Sequence, residues 1–293
     1  MKIGLLTRNR ESWCSIRLIN AIKDKKAEPV CLRFNDFSAK IGCEPEVTIE
    51  KDVDIMKELD AMIIRPIGRG SLEEILFRLD MLRTLRKKGL LIINSPSSIE
   101  KAVDKYRALS IFKEKDIPVP KTIVTEDPKN AIDAFHELGK DVIIKPIFGS
   151  RGVGITRVSD PEIAKRIFSS LAFNHNVIYI QEFVPHENRD IRAFVIGEKV
   201  VACMYRIADG WKTNVSQGAR MISLKPNEKI VDLAINASQA IGCEVAGVDI
   251  MESPEGYKVN EINSQPGFEG IQSTTKIDIA GAIIDYILSK LSC

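Results

Sequence analysis

The stretch KVNEINSQPGF, at residues 258–268, combines the alternation of a β-strand with oxygen-bearing side chains. Because the side chains of a strand alternate between its two faces, Glu261 and Asn263 point to the same face. Asp249 ends another apolar run at 245–248, so a second strand can bring its carboxylate beside them. Two carboxylates and an amide oxygen on neighbouring strands form an all-oxygen site suited to magnesium that holds nucleotide phosphates. The alternative is a solvated strand end with ordinary turn residues, and this stretch alone does not decide between the two.

Composition narrows the class of protein. The chain has 293 residues, of which 44% are hydrophobic and 28% charged, which is typical of a globular protein with two or three packed subdomains. No apolar run approaches the roughly 20 residues that cross a bilayer. Residues 1–6 are too short an apolar segment for a signal peptide, so we expect a cytoplasmic protein with no membrane partner. A net charge of +2 gives no global basic field, so we expect no nucleic acid partner either.

The cysteines and histidines argue against several kinds of catalytic site. None of the six cysteines stands in a Cys-x-x-Cys pair, which favours reduced structural thiols over a zinc site or a disulfide framework. The three histidines, His136, His175 and His186, are not at metal-ligand spacing from one another. A zinc hydrolase or a His-based nucleophilic triad is therefore not expected.

The spacing of apolar residues predicts alternating strands and helices in the first third of the chain. The predicted strands are 2–6, 29–34, 60–64 and 90–93, and the predicted helices are about 13–25, 53–58 and 71–88. Such alternation indicates a small parallel sheet with flanking helices. Residues 94–98 then form a turn and helix cap before a charged amphipathic helix predicted over 99–115.

The rest of the chain predicts an α+β arrangement. The predicted strands are 122–124, 141–147, 177–184, 190–196, 199–206, 245–251 and 257–263, and the predicted helices are 128–138, 161–171, 226–241 and 277–290. Short turns such as residues 196–199 are typical of β-hairpins, in which consecutive strands pair antiparallel. We therefore expect antiparallel sheets to follow the parallel start.

A glycine-rich segment, residues 148–155, follows the strand that contains Lys145. It is not a Walker A loop, because no Gly-Lys-Ser/Thr follows and the next residues resemble a strand. One interpretation is a hairpin loop whose N–H groups approach phosphate oxygens, and the other is an ordinary glycine turn. An unpaired charge late in an apolar strand is costly, so we expect Lys145 to reach an anion. The alternative is a lysine that extends its ammonium from an edge strand into water.

For several other polar residues, the sequence alone does not decide between a binding role and an ordinary structural one. Lys105 by itself resembles any helix-surface lysine. Gln181 and Glu182 end an aliphatic strand that either presents backbone groups to a purine or simply leaves the core. Asp190 and Arg192 share one face of their strand. Four cations could cradle carboxylates or phosphates, or else belong to a solvated surface: Arg192, Arg206, Lys212 and Arg220.

Taken together, these segments resemble the ATP-grasp carboxylate–amine ligases, and among them the RimK-like glutamate ligases. The matching segments are 104–105 (DK), 144–145 (IK), 149–154 (GSRGVG), 181–184 (QEFV), 190–192 (DIR), Asn214, 245–250 (VAGVDI), 261–267 (EINSQPG), 269–271 (EGI) and 277–280 (IDIA). Each is modest alone, but so many in the right order over nearly the whole chain are specific.

The resemblance implies a site that binds ATP as co-substrate with two Mg²⁺ or Mn²⁺ ions. It places the metal ions on Asp249, Glu261 and Asn263. The implied catalytic residues, which face the transferred phosphate and the substrate carboxylate, are Arg192, Arg206 and Asn214. The implied nucleotide-binding residues are Lys105 and Lys145 at the phosphates, Gly149, Ser150, Arg151, Gly152 and Gly154 in the loop, Gln181, Glu182, Phe183 and Val184 along the adenine, and Asp190 near the ribose.

The resemblance also implies an α+β ATP-grasp fold with three parts. The expected parts are an N-terminal Rossmann-like α/β domain at 1–95, a central ATP-grasp subdomain with the glycine-rich loop at 96–184, and a C-terminal subdomain with the metal site at 185–293. In the implied reaction, a substrate carboxylate takes the γ-phosphate of ATP to give an acyl phosphate. An amine then displaces phosphate and forms an amide.

The substrates implied by the resemblance are L-glutamate and a small coenzyme that carries a carboxylate. The segments 65–68 (RPIG), 77–80 (FRLD) and 94–96 (NSP) resemble the archaeal tetrahydromethanopterin:glutamate ligases most closely, whose product is tetrahydrosarcinapterin. Glutamylation of a deazaflavin coenzyme or of a ribosomal protein tail is the alternative within the family, and a non-catalytic nucleotide-binding module is the alternative of another class. The resemblance further implies a homo-oligomer.

Overall fold

The computed structural model of the chain describes residues 1–149, 152–214 and 218–292, so Ser150 and Arg151 of the predicted loop lie outside the described residues. The first hundred residues contain β1 (Lys2–Leu6), α1 (Trp13–Asp24), β2 (Glu28–Leu32), β3 (Ser38–Ala39), β4 (Val47–Ile49), β5 (Val53–Asp54), α2 (Ile55–Glu58), β6 (Ala61–Ile64), α3 (Leu72–Lys87) and β7 (Leu91–Ile93).

Four of these strands form the predicted parallel sheet, in the order β2-β1-β6-β7. Its apolar side chains alternate between two cores, so that Leu5 packs with α1 on one face and Leu6 packs with α3 on the other. Helix α1 begins after Ser12, whose hydroxyl accepts a hydrogen bond from the backbone N–H of Ser15.

The structure also contains a small antiparallel sheet, β3-β4-β5, that the sequence does not predict. Its strands have only two or three residues each, too few for an alternating pattern to emerge. The predicted helix at 53–58 is wrong at its start, because β5 pairs with β4. Helix α2 begins only after Asp54, whose carboxylate accepts a hydrogen bond from the backbone N–H of Met56.

The single helix predicted over 99–115 is also wrong, since two helices lie there, α4 (Pro96–Val103) and α5 (Lys105–Glu114). Asp104 separates them with an extended backbone, and its carboxylate accepts a 3.0 Å hydrogen bond from the Arg107 N–H, which caps α5. Lys105 is therefore the first residue of a new helix and not a mid-helix surface residue, and it is only 8% exposed.

The middle of the chain contains β8 (Thr122–Thr125), α6 (Pro128–Glu137), β9 (Val142–Lys145), β10 (Thr156–Val158), α7 (Pro161–Phe173) and β11 (Ile178–Glu182). Its strands form an antiparallel sheet in the order β10-β9-β11-β8. Helices α6 and α7 cover one face and bury Phe135 and Phe168. The opposite face carries Lys145 and Tyr179, which are directly paired across β9 and β11.

The last third contains β12 (Arg189–Ile196), β13 (Lys199–Ile207), β14 (Arg220–Ser223), α8 (Glu228–Ile241), β15 (Val245–Ser253), β16 (Gly256–Asn263), α9 (Glu269–Thr274) and α10 (Ile279–Leu291). Its strands form an antiparallel sheet in the order β14-β13-β12-β15-β16. Gly197 takes a φ of +59° in the tight turn between β12 and β13, which confirms the predicted hairpin.

Strand β12 shows how this large sheet separates core from site. Ile191, Ala193 and Val195 pack against α8 on one face. On the other face, Phe194 packs in the core that also contains α1 and α10, whereas Arg192 lies in a polar region. The N-terminal sheet with α1 and α10 covers the apolar end of this face. The polar end faces the central sheet, where Lys145 contacts Asn260 and Glu182 contacts Lys258, and we call this junction the crevice.

The three larger sheets lie one each within the predicted ranges 1–95, 96–184 and 185–293. The boundaries of those ranges stay a prediction. Among residues 1–149, 152–214 and 218–292, no helix is long and apolar enough to span a bilayer.

Asn94 joins the N-terminal sheet to the large sheet. It is 2% exposed, and its Oδ1 accepts hydrogen bonds from the backbone N–H groups of Glu244 (2.7 Å) and Val245 (2.9 Å). Its Nδ2 donates to the carbonyl of Val245 at 2.6 Å and to the carbonyl of Ser264. One buried amide therefore satisfies backbone groups at the start of β15 and just after β16.

We expect Asn94→Ala to lower the free energy of unfolding by about 3 kcal/mol, because it leaves several buried backbone groups without partners. Urea denaturation measures the change, with Asn20→Ala, at an exposed position of α1, as the matched control. A loss no greater than that of the control would contradict the assigned role of Asn94.

Candidate active site between the two antiparallel sheets

The large sheet carries a row of charged and amide side chains across its central strands. Arg192 on β12 pairs in register with Asp249 on β15, and Asp249 pairs with Glu261 on β16. Asn263 lies two residues farther along β16, opposite Gly247, while Ile262 between them points into the core. The expectation that three oxygen ligands share one face of neighbouring strands is therefore met by the register.

A bulge in β16 adds a residue that the sequence does not predict. The register shifts between Asp249 and Ile250, so that Glu261 and Val259 oppose consecutive residues of β15 and Asn260 is the extra residue. Asn260 then points into the crevice, where its Oδ1 accepts a 3.0 Å hydrogen bond from Lys145 Nζ. Regular alternation would place Asn260 on the core face, so no sequence signal identifies it.

Two carboxylates and two guanidinium groups form a buried cluster beside this row. Asp190 holds Arg206 with both carboxylate oxygens, one at 2.7 Å from Nε. Arg206 also contacts Asp249 Oδ2 at 3.1 Å, and Arg192 Nε lies 2.9 Å from Asp249 Oδ1. The four side chains are between 5% and 16% exposed, so the cluster is stable only because its charges balance.

Although the charges balance, one contact in the cluster leaves polar atoms without a hydrogen bond. Arg192 Nε is close to Asp249 Oδ1, but the angles do not make a hydrogen bond. Within the described residues, Asp249 Oδ1 and Arg192 Nη1 are both buried without a hydrogen-bond partner. Burial lowers the pKa of Arg192, against the effect of Asp249. Burial would also lower the pKa of Arg206, but Asp249 and Asp190 raise it above its usual range.

Lys145 faces this cluster from the central sheet. It is 6% exposed, and its Nζ lies 5.9 Å from the ring centroid of Tyr179 as well as near Asn260. Burial lowers the pKa of Lys145 to about 8, Glu261 and Asp249 oppose the shift, and Lys105 adds to it. The two charged residues among the three predicted metal ligands therefore both act on Lys145, as expected for a single site.

Lys105 and the glycine-rich loop lie next to each other. Lys105 Nζ donates to the carbonyls of Gly149 at 3.0 Å and Ile147 at 3.4 Å. Gly152 and Gly154 take φ angles of +72° and +78°, which favour glycine, and the loop joins the antiparallel strands β9 and β10. The break at Asp104 aims Lys105 at this loop, which explains why a helix-surface interpretation of Lys105 fails.

The end of β11 forms another wall of the crevice. Gln181 is 1% exposed, and its Nε2 donates to Thr122 Oγ1 at 3.0 Å. Glu182 accepts hydrogen bonds from the Lys121 N–H at 3.0 Å and from Lys258 Nζ at 2.9 Å, which ties β11 to β16. Phe183 and Val184 follow directly, and Val184 is buried.

The structure separates the four cations proposed as a cradle. Arg192 and Arg206 belong to the buried cluster, whereas Arg220 is exposed on β14 and Lys212 Nζ lies 5.1 Å from the ring centroid of Trp211. Asn214 is half-buried and immediately precedes residues 215–217, which are not described, so its catalytic role stays a prediction.

The row of oxygens fits a hard divalent cation. Asp249, Glu261 and Asn263 offer carboxylate and amide oxygens, the donors that Mg²⁺ and Mn²⁺ prefer. Asp249 Oδ1, buried with no hydrogen bond among the described residues, is an acceptor that a cation would satisfy. In the described part of the chain, no three His, Cys, Asp or Glu side chains are grouped to hold a metal ion.

Known proteins share this fold over the whole chain. The RimK domain ATP-grasp protein of Sphaerobacter thermophilus matches with a TM-score of 0.74 at 19% identity, over 98% of this chain and 100% of that chain. The tetrahydromethanopterin:alpha-L-glutamate ligase of Methanococcus maripaludis is 36% identical over 294 residues, which cover 99% of this chain and 98% of that protein. The ligase of the same description from Methanocaldococcus jannaschii is 35% identical over 298 residues, which cover 98% of each.

Two family matches account for nearly the full length. A RimK PreATP-grasp domain matches residues 1–99, and a RimK-like ATP-grasp domain matches residues 102–287. Together with the full-length relatives, they confirm the α+β ATP-grasp fold and the ligase class that the sequence predicts. The chain therefore belongs to the RimK-like ATP-grasp family.

Proposed function

We propose that the protein joins L-glutamate to the carboxylate of a small coenzyme at the expense of ATP, and that tetrahydromethanopterin is the first candidate for that coenzyme. The observation that carries the proposal is the row of Asp249, Glu261 and Asn263 facing Lys145 across the crevice. Full-length identity of 36% to a tetrahydromethanopterin:alpha-L-glutamate ligase supports this choice of substrates.

In the proposed reaction, an oxygen of the acceptor carboxylate attacks the γ-phosphorus of ATP and ADP leaves. The nitrogen of glutamate then attacks the acyl carbon and loses a proton, and phosphate departs with the bridging oxygen that came from the carboxylate. No side-chain nucleophile takes part, so catalysis consists of positioning and charge stabilisation. This is consistent with a crevice lined by cations, carboxylates and amides.

The chain's own groups supply the proposed positioning. Lys145 and Lys105 would neutralise phosphate oxygens, with Gly149 of the loop in contact with Lys105. The N–H groups of the loop, which includes Gly152 and Gly154, would approach the same phosphates. Arg192 has a buried Nη1 with no partner in the described residues, and that donor is suited to a transferred phosphate or an acceptor carboxylate. The segment 181–184 would lie along the adenine.

Asp249, Glu261 and Asn263 would hold two Mg²⁺ or Mn²⁺ ions, which supply charge neutralisation at the phosphate oxygens when bound. Asp190 uses both oxygens on Arg206, so its first role is to hold that guanidinium in place. Its contact to the ribose, the homo-oligomer and the cytoplasmic location stay predictions.

The proposal is tested by incubating the purified protein with ATP, Mg²⁺, glutamate and a panel of acceptors, with ADP and product mass as readouts. The panel contains tetrahydromethanopterin, a deazaflavin coenzyme and a ribosomal protein tail. We expect a product heavier by glutamate with the pterin, and ADP release that requires both glutamate and acceptor. ADP release with neither substrate, or a product only with another acceptor, would contradict the proposed substrate.

Asp249→Asn is expected to reduce turnover at least roughly 100-fold, because it removes a charged oxygen from the proposed metal site. The exposed Asp232→Asn on α8 is the matched control. If ATP binds but Asp249→Asn leaves turnover unchanged, the residue row is not the catalytic centre.

We predict that nucleotide binding is accompanied by the uptake of a proton at Lys145. Its pKa of about 8 lies below that of an unfolded lysine, mainly through burial, so between about pH 8 and pH 10.5 the folded protein binds fewer protons than the unfolded one. Stability from this group therefore rises with pH across that window. Phosphate oxygens at Nζ favour the charged form and raise the pKa of Lys145.

At pH 8.5, ATP binding should accordingly take up roughly 0.7 proton if the pKa of Lys145 moves to about 10. Calorimetry in two buffers of different ionisation enthalpy measures the uptake. Lys145→Arg, which stays charged, should bind ATP without it. Equal proton uptake by the wild type and Lys145→Arg would show that another group is responsible.

Asp190→Asn should lower the free energy of unfolding by about 3 kcal/mol, since it leaves Arg206 buried without its full partner. The same substitution at exposed Asp232 should have little effect, and thermal or urea unfolding compares the two. A variant as stable as the control would refute the structural role.

A contact between Asp190 and the ribose predicts, in addition, that Asp190→Asn loses any preference of the enzyme for ATP over 2′-deoxy-ATP.

A further inference from the structure

The parallel N-terminal sheet has a change of direction between β1 and β6. The chain runs from β1 outward to β2 and later from β6 outward to β7, in the order β2-β1-β6-β7. In open parallel sheets, ligands bind in the crevice outside the carboxyl ends of the strands at such a point. The first turn of the 12-residue helix α1, which follows β1, lies at the same edge of the sheet.

Arg65 stands at this edge, directly after β6. Its backbone N–H bonds to the Leu6 carbonyl at 2.9 Å, which holds it beside the end of β1. Its Nη1 donates to the Pro266 carbonyl at 3.0 Å, and its Cζ lies 5.9 Å from the Phe268 ring centroid. These contacts engage one of the five N–H groups of the guanidinium, and burial lowers the pKa of Arg65.

Arg8 lies at the same edge of the sheet, two residues after the end of β1. Its guanidinium covers Gly68, where an added Cβ would lie 2.7 Å from Nη1 and 2.9 Å from Nε. Gly68 also has a φ of +84°, so both its conformation and its neighbour require glycine. The RPIG segment, residues 65–68, therefore contains Arg65 at its start and packs against Arg8 at its end.

Pro266 connects this place to the buried cluster. An added Cβ on Gly247 would collide with Arg192 Nη1 and lie 3.1 Å from Pro266 Cβ, so Arg192 and Pro266 meet above Gly247. Arg65 binds the carbonyl of the same proline. Arg65 and Arg192, with its unpartnered Nη1, thus both lie beside Pro266.

Neither Arg8 nor Arg65 forms an ion pair with any residue in the described ranges. For Arg65, which is partly buried, the lack of a counter-ion is costly unless an anion is bound there, whereas the exposed Arg8 adds positive charge at the same edge of the sheet. Arginine also presents paired N–H groups that match a carboxylate. The position, the missing counter-charge and the proximity to Arg192 all favour an anionic part of a substrate.

We propose that Arg8 and Arg65 form a carboxylate subsite that holds a non-reacting acid group of a substrate, near the place where Arg192 faces the carboxylate that reacts. The subsite rests on the proposed ligase function for its place in the reaction. Two substrates of that reaction carry such a group, the acceptor coenzyme and the incoming glutamate. The chemistry of recognition is the same for both.

The kinetic test compares Arg8→Met, Arg65→Met and Arg65→Lys with Arg86→Met. Arg86 is an exposed residue in the last turn of α3, at the opposite edge of the sheet. Loss of a charge-assisted pair should raise KM for one carboxylate substrate roughly tenfold or more, with KM for ATP within about twofold. A rise for the acceptor assigns the subsite to the acceptor, and a rise for glutamate assigns it to glutamate. Unchanged KM values, or only a fall in kcat, would overturn the proposal.

A binding test separates the subsite from the ligase proposal. Trp13 contacts Phe268 at 5.6 Å between ring centroids, one ring away from Arg65, so its fluorescence reports on this place. Glutarate is titrated without ATP into protein that carries Trp211→Phe. We expect a saturable change in the otherwise unaltered protein and with Arg86→Met, and its loss with Arg8→Met.

Glutarate binding with this pattern, in a protein that ligates no acceptor, would support the subsite and reject only the proposed reaction. The absence of a saturable change, or the same change in Arg8→Met as in Arg86→Met, would overturn the subsite. Because Arg8 is exposed, its variant tests the proposal even if Arg65→Met does not fold.

Discussion

The buried ion pairs among Asp190, Arg206, Asp249 and Arg192 are the constraint on which the crevice depends. Each charge would be too costly alone in this environment, and together they fix one another's positions. Arg206 bridges two carboxylates on different strands, so the side chains of β12, β13 and β15 form one unit. This unit also positions Glu261, because Asp249 and Glu261 are direct neighbours across β15 and β16.

A single strand separates the polar and apolar regions around this cluster. On one face of β12, small and branched residues pack against α8, and on the other face charged residues give way to Phe194 and the core shared with α1 and α10. The N-terminal unit can therefore cover half of that face while the other half stays open to the central sheet. Asn94, which follows β7 of the N-terminal sheet, stabilises this arrangement, since its side-chain amide bonds to backbone groups at the start of β15 in the large sheet.

Much of this could be predicted from sequence because it follows simple periodicity. Alternation alone places Glu261 and Asn263 on one face and Ile262 in the core. Asn260 escapes such reasoning, because a bulge in the register re-aims it toward Lys145. Lys105 escapes it for a different reason, since Asp104 ends one helix and caps the next within a continuous amphipathic pattern. Arg65 acquires its surroundings from Pro266, about two hundred residues away, and no local pattern encodes that contact.

The charged side chains around the crevice come from all three parts of the chain. Lys145 and Lys105 face the cluster from the central subdomain, and Glu261 is the carboxylate of the row that has no arginine partner among the described residues. Arg8 and Arg65 add cations from the N-terminal unit. Such an excess of positive charge favours the binding of anions. In the proposed reaction, a triphosphate at the central sheet and a carboxylate substrate at the N-terminal sheet would together supply the negative charge.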